Sequence, residues 1–259
     1  SKIPLLLKLM ELAPIPDLEI EGFLTEIRRN LLLERENLSD SDLIEFQVSL
    51  ALQCFTNEFI YEETETEVRL IGTLENKLEK LASRAETLAA SDIACLASYR
   101  TLGNYFWIRD TEAPLSLKEL FKRQIWDVVE ERELRRNLPS LGLVRNAISS
   151  KVKEHYEENP YPRWIDTRIN TKSQRVADLL VLLNLRSLYE NRQFQSNPEI
   201  LIAGCGTGQH ALSVASRFAD SQVTAIDLSH SSLSYAKRRT NELGITNINY
   251  IQGDILDLI

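Results

Sequence analysis

From Ile3 to about Arg136, apolar residues recur at intervals of three and four, the spacing of helices that bury one face. Ile3–Leu12 predicts a short apolar helix stopped by Pro14 and Pro16. Leu18–Leu33 carries Ile20, Phe23, Leu24, Ile27 and Leu31 on one stripe. Ser39-Asp-Ser-Asp42 offers N-cap residues to a helix over Leu43–Ile60, apolar nearly all round and therefore expected in the middle of a helical core. An acidic link, Glu62–Glu67, precedes a stripe of Val68, Ile71, Leu74, Leu78, Leu81, Ala85 and Leu88. Two further helices, Asp92–Trp107 and Ser116–Arg136, complete the set, the second opening on the capping-box pattern Ser116-Leu-Lys-Glu119. The aromatic residues Phe55, Phe59, Tyr99, Tyr105, Phe106, Trp107, Phe121 and Trp126 are expected in the core. No self-similar period runs through the region, so it does not read as a repeat array.

Leu138-Pro-Ser-Leu-Gly142 reads as a break between domains, 1–140 and 141–259. A helix with Val144, Ile148, Val152 and Tyr156 follows and ends at the rigid extended segment Asn159-Pro-Tyr-Pro-Arg-Trp164. Thr171-Lys-Ser-Gln174 is a second capping-box pattern, opening a helix with Val176, Leu179, Leu180 and Leu183. The period then changes. Ile200–Ala203 is apolar without alternation, which predicts a parallel strand buried on both faces. Gly204, Gly206 and Gly208 follow directly, then a helical pattern with Ala211, Leu212, Val214, Ala215 and Phe218. Gln222–Ile226 predicts a second strand ending at Asp227. Ser229 caps a helix to Leu243, and Gly244 stands where a left-handed cap belongs. Asn247–Gln252 predicts a third strand, followed by Gly253-Asp254. The fold class expected is therefore an all-helical N-terminal domain followed by the first half of a Rossmann-like, doubly wound parallel sheet.

Composition narrows the partners. Residues 1–150 carry the chain's whole net charge of −8, while residues 151–259 balance to zero. An acidic helical half argues against a nucleic-acid surface there. Lys237-Arg-Arg239 is a short basic cluster whose ordinary reading is a solvated helix face. No apolar run is long enough to span a bilayer and no signal peptide is visible. Cys54, Cys95 and Cys205 have neither a disulfide nor a zinc spacing, which suits a reducing cytoplasm, and the three histidines show no metal-ligand spacing.

A strand, a glycine-rich turn and a helix bring backbone close to a ligand at a helix N-terminus. A phosphate-cradling loop of the Gly-x-x-x-x-Gly-Lys type would need a lysine that is absent. The dinucleotide pattern Gly-x-Gly-x-x-Gly would need glycine at Gln209, which weakens the reading as an NAD-dependent oxidoreductase. Gly204, Cys205, Gly206, Thr207 and Gly208 satisfy Gly-x-Gly-x-Gly in full.

With Asp227 ending the second strand and Asp254 after the third, this segment resembles class I S-adenosylmethionine-dependent methyltransferases. The resemblance implies that S-adenosyl-L-methionine is the cofactor and that the loop Gly204–Gly208 passes close to its methionyl part and ribose. Asp227, with Leu228 beside it, would accept from the ribose hydroxyls, and Asp254 with the Ile255 backbone would read the adenine edge. The family usually carries an acid two residues before the first glycine, where this chain has Ile202. More specifically, Tyr156-Glu-Glu-Asn-Pro-Tyr-Pro-Arg-Trp164, Ile200–His210 and Leu52–Phe59 are similar to the methyltransferase portion of bacterial proteins in which such a domain follows tetratricopeptide repeats. In that resemblance Tyr161 and its neighbours would lie over the cofactor as a lid; the alternative is a strap that packs aromatics onto the sheet.

No catalytic residue is assigned. Cys205 is expected to contribute its backbone, and His155 and His210 have no carboxylate or second ligand placed beside them in the sequence. A fold of this class continues through four more strands ordered 3-2-1-4-5, which leaves the first strand here as an edge with Leu201 and Ala203 uncovered. The native polypeptide is expected to be longer, or the edge to be covered by another chain or by the helical domain. The expected reaction is methyl transfer to an unidentified acceptor. The rival is a non-catalytic module whose helices or open sheet edge dock a protein.

Overall fold

A computed structural model describes residues 3–37, 43–109, 111–142, 144–158, 160–166, 172–183 and 197–257. The chain divides into two compact units, Ser1–Glu130 and Glu131–Ile259.

The first unit is helical throughout its described residues. It contains α1 (Pro4–Leu12), α2 (Leu18–Leu33), α3 (Ile44–Thr56), α4 (Glu65–Ser83), α5 (Ala90–Ala97), α6 (Phe106–Arg109) and α7 (Lys118–Phe121). Asp17 caps α2 by accepting from the N–H groups of Glu19 and Ile20. α3 lies at the centre, buried on every face from Gln47 to Thr56. Its N-cap is Leu43, with no side-chain cap, and Ser39–Asp42 lie outside the described residues. The acidic link hides a true capping box: Thr64 accepts from the Glu67 N–H while the Glu67 carboxylate accepts from the Thr64 N–H. Ile71, Leu74 and Leu78 of α4 are fully buried, whereas Val68 is half exposed and the helix stops before Ala85 and Leu88.

The expected helix Asp92–Trp107 is broken into α5, a 3-10 turn at Leu102–Asn104 and α6. No side chain closes the Ser116 pattern. A 3-10 turn at Leu115–Leu117 leads into α7, a π turn at Lys122–Trp126, and α8 (Asp127–Asn137). The π turn delivers Gln124 into the core, where its amide donates to Ala51 O and Ala97 O and its carbonyl accepts from the Leu102 N–H. Of the aromatic residues, Phe55, Tyr99 and Phe121 are buried as expected. Phe106 is exposed, under the Arg109 guanidinium at 4.3 Å.

The second unit runs α8, α9 (Ala147–Glu158), α10 (Val176–Leu182), β1 (Glu199–Ala203), α11 (Gln209–Arg217), β2 (Gln222–Asp227), α12 (His230–Glu242) and β3 (Ile248–Gln252). All three strands are parallel in the order β1-β2-β3, with Ile202 opposite Ala225 and Ile226 opposite Ile251. The helical region followed by a parallel sheet, expected from the sequence, is present. β1, however, is not buried on both faces: Ile202 is buried, while Leu201 and Ala203 on the opposite face are exposed, and among the described residues β1 pairs with β2 alone. Ile202, Ala211, Ala215, Val223, Ala225, Leu233, Ala236, Ile248 and Tyr250 form the core beneath the sheet.

Leu138–Gly142 is not a loose break. Pro139 O accepts from Gln252 N–H and Leu141 N–H donates to Gln252 O, each at 2.8 Å, so the stretch adds a short parallel bridge beside β3. At the start of α10, Gln174 N–H donates to Arg217 O, and the N-cap is Arg175 with no side-chain cap; Thr171 lies outside the described residues. Lys237-Arg-Arg239 is also not a solvated face. Arg238 is buried and bonds Glu131 at 2.8 Å, Arg163 reaches the other oxygen of Glu131 at 3.4 Å, and Arg239 donates to Ile165 O at 2.6 Å.

Candidate cofactor-binding site

The loop between β1 and α11 owes its shape to glycine. Gly204, Gly206 and Gly208 have φ of 71°, 52° and 82°, a region that costs other residues about 1–2 kcal/mol. The three glycines face different surroundings. Where a Cβ would stand on Gly204 or Gly206 there is open space, whereas on Gly208 it would sit 2.5 Å from the Ala236 Cβ and 3.1 Å from the Tyr250 hydroxyl. Gly208 is therefore required by packing against α12 and β3, and Gly204 and Gly206 leave their faces open to an approaching group.

Ile226 O accepts from the N–H groups of both Gly204 and Cys205, pinning the loop to β2. Asp227 ends that strand half-buried. Its Oδ2 accepts from Gly206 N–H at 2.7 Å and its Oδ1 from Ser229 N–H at 3.0 Å. A carboxylate offers about four acceptor positions, so each oxygen retains capacity for one more donor. The Asp227 carbonyl accepts from Gly253 N–H, and Leu228 O from the Gln252 amide, so the end of β2 is tied to the turn after β3. Asp254 in that turn is 5% exposed; its Oδ1 accepts from Leu256 N–H while its Oδ2 is buried with no partner among the described residues. A buried carboxylate oxygen without a donor is costly, and it marks a place for one.

The fold thus gathers Gly204–Gly208, Asp227, Leu228 and Asp254 at the C-terminal ends of three adjacent strands, with Ile255 exposed in the following 3-10 turn. This rim is where open α/β sheets bind ligands. Burial, reinforced by the Asp227 charge, pushes the Cys205 thiol well above its ordinary range, so the side chain is unreactive. Ile202 is buried in the sheet core, so no carboxylate arises at that position. His210 is exposed on the first turn of α11, and His155 rests edge-on against Tyr156.

The strap after α9 is tied to the same loop. Trp164 Nε1–H donates to Thr207 O at 2.9 Å, and the Thr207 hydroxyl donates to Pro162 O at 2.8 Å. Trp164 packs edge-on against Tyr235 and on Leu212, and the Tyr235 hydroxyl donates to Trp164 O. The strap therefore packs its aromatic residue onto the sheet's helical layer. Tyr161 is half exposed, and its neighbours reach the loop from the side of Thr207.

Residues 200–259 match the family profile described as a methyltransferase domain. A search of curated proteins returned no match. Two solved structures illustrate the wider similarity. One, reported for conversion of a disulfide bond into a thioacetal group during echinomycin biosynthesis, is 24% identical over 43% of this chain and 41% of that one, with a TM-score of 0.27. The other, coclaurine N-methyltransferase bound to N-methylheliamine and SAH, is 17% identical over 74% of this chain and 50% of that one, with a TM-score of 0.24. The chain spans half or less of the length of these two proteins. No helix among the described residues is long and apolar enough to cross a membrane, and no group of side chains that could hold a metal occurs among them.

Proposed function

We propose that the second unit binds S-adenosyl-L-methionine at the rim formed by Gly204–Gly208, Asp227, Leu228, Asp254 and Ile255, and directs its methyl group to an acceptor nucleophile. The observation that carries this reading is the pairing of an open glycine face with a buried, donor-less oxygen on Asp254. The carboxylate acceptors suit the group, because the cofactor carries an ammonium, a sulfonium, a diol and an adenine amine but no phosphate.

In this reading Asp227, already oriented by two backbone N–H groups, accepts from the two ribose hydroxyls. Asp254 Oδ2 accepts from the adenine amine, and the open faces of Gly204 and Gly206 admit the methionyl chain. What the group would supply when bound is an electrophilic methyl on sulfur, which leaves S-adenosylhomocysteine behind. The chain's own part is alignment, worth at most ~7–11 kcal/mol in well-oriented reactions. The similarity of the strap and loop to methyltransferases that follow tetratricopeptide repeats belongs to the same proposal.

The test is equilibrium binding of S-adenosylhomocysteine and of NADH to the full chain and to Asp227→Ala. Saturable binding of the first alone, weakened roughly tenfold or more by losing hydrogen bonds to a charged acceptor, supports the reading. Preference for NADH, or equal affinity in the variant, contradicts it.

A further inference from the structure

The glycine loop is held unevenly. Ile226 O anchors Gly204 and Cys205, the Asp227 carboxylate anchors Gly206, and the Gly208 N–H closes on Cys205 O at 2.9 Å. Thr207 is tied neither to the sheet nor to the loop itself. Among the described residues its hydrogen bonds run to the strap: its carbonyl accepts from the Trp164 indole, and its hydroxyl donates to Pro162 O. It also stands between two glycines of positive φ, 52° at Gly206 and 82° at Gly208, where the backbone is freest to change. The two strap bonds therefore set the course of the chain at the middle of the loop.

The strap is braced from behind. The buried Trp164 ring stands edge-on to Tyr235 at 5.6 Å, and the Tyr235 hydroxyl donates to Trp164 O. The Arg239 guanidinium lies 5.0 Å from the indole and donates to Ile165 O at 2.6 Å. A buried indole N–H needs an acceptor wherever it packs. That need alone does not account for a second bond from the same loop residue to a carbonyl two positions back along the strap.

We propose that Trp164 and Pro162 are positioning residues for the cofactor loop, holding Thr207 in its binding conformation before the cofactor arrives. The proposal rests on the cofactor reading above and gives the strap a part in it. A loop ordered in advance loses less conformational entropy on binding. Fixing the backbone of one residue is worth roughly tenfold in a dissociation constant.

The test is calorimetric titration of the full chain and four variants with S-adenosylhomocysteine, each shown to be folded by circular dichroism. Trp164→Phe keeps an aromatic ring and loses the donor. Thr207→Val loses the hydroxyl, and Thr207→Ser keeps it. Asn247→Leu removes bonds to the carbonyls of Ala215, Phe218 and Ser221 at the other end of the strands, so it lowers stability without touching the loop. Trp164→Phe and Thr207→Val are expected to bind roughly tenfold more weakly, while Thr207→Ser and Asn247→Leu bind as the parent does. In Trp164→Phe without ligand, the Gly208 amide is expected to exchange its hydrogen faster than in the parent, and saturating ligand restores the protection. Parent-like affinity in both Trp164→Phe and Thr207→Val overturns the proposal and leaves the cofactor reading standing. An equal loss in Asn247→Leu also overturns it, because affinity would then follow stability. No binding by the parent overturns the cofactor reading and this proposal with it. Where Trp164→Phe does not fold, the two Thr207 variants decide by the same criteria.

Discussion

Replacing Gly208 by alanine separates the packing role of the loop from the ligand-facing role proposed for it. The new Cβ would meet the Ala236 Cβ at 2.5 Å and the Ala236 Cα at 3.3 Å, on a backbone at φ 82°. The left-handed conformation costs about 1–2 kcal/mol for alanine. Forcing a methyl into a filled contact adds about 1–3 kcal/mol, so the total is about 2–5 kcal/mol. Gly204→Ala meets nothing within 4 Å and carries only the conformational part, about 1–2 kcal/mol. The assay is urea unfolding followed by the fluorine signal of 5-fluorotryptophan at Trp164, the tryptophan that lies in the second unit. Ala236→Gly in the Gly208→Ala background relieves the 2.5 Å contact and should recover part of the packing loss, although it costs about 1 kcal/mol by itself in a helix and leaves the conformational cost in place. Equal losses for the Gly204 and Gly208 variants, or no coupling between positions 208 and 236, would refute the packing assignment.

Two further outcomes follow from the ion pairs. Glu131→Ala removes the carboxylate shared by Arg163 and the buried Arg238, which keeps Glu242 at 3.0 Å, and should destabilise the second unit by about 1–3 kcal/mol in the same unfolding assay. In the first unit, burial alone would raise the Glu67 carboxyl, but hydrogen bonds from Thr64, Tyr99 and Arg29 more than offset it and hold it below the ordinary range. Because the folded carboxyl binds its proton less readily than the unfolded one, its contribution is complete above the unfolded pKa of about 4.3 and is lost as pH falls through the folded value. Acid unfolding monitored by circular dichroism should therefore show less pH dependence in Glu67→Gln than in the parent.

Local signals in the sequence were legible where one residue type decides the geometry. The three glycines, the acid ending β2 and the Ser229 cap were readable because positive φ, a strand end and an N-cap each restrict composition. What was hidden depends on tertiary neighbours. The Thr64–Glu67 box sat inside a run of acids that reads as a solvated link. Leu138–Gly142 has the composition of a linker, yet its backbone finds partners on β3 that only the folded sheet provides. Val144, Ile148, Val152 and Tyr156 keep helical spacing, but Ile148 is 75% exposed, since a stripe announces a face without naming what covers it. The burial of Arg238 was equally invisible, because its partner Glu131 lies 107 residues away.

The most direct measurement of the central claim is a crystal structure of the chain with S-adenosylhomocysteine. The expected density places the ribose hydroxyls on Asp227, the adenine amine within hydrogen-bonding distance of Asp254 Oδ2, and the homocysteine chain against Gly204 and Gly206. Density elsewhere on the chain, or none at saturating ligand with the glycine loop unchanged, would contradict it.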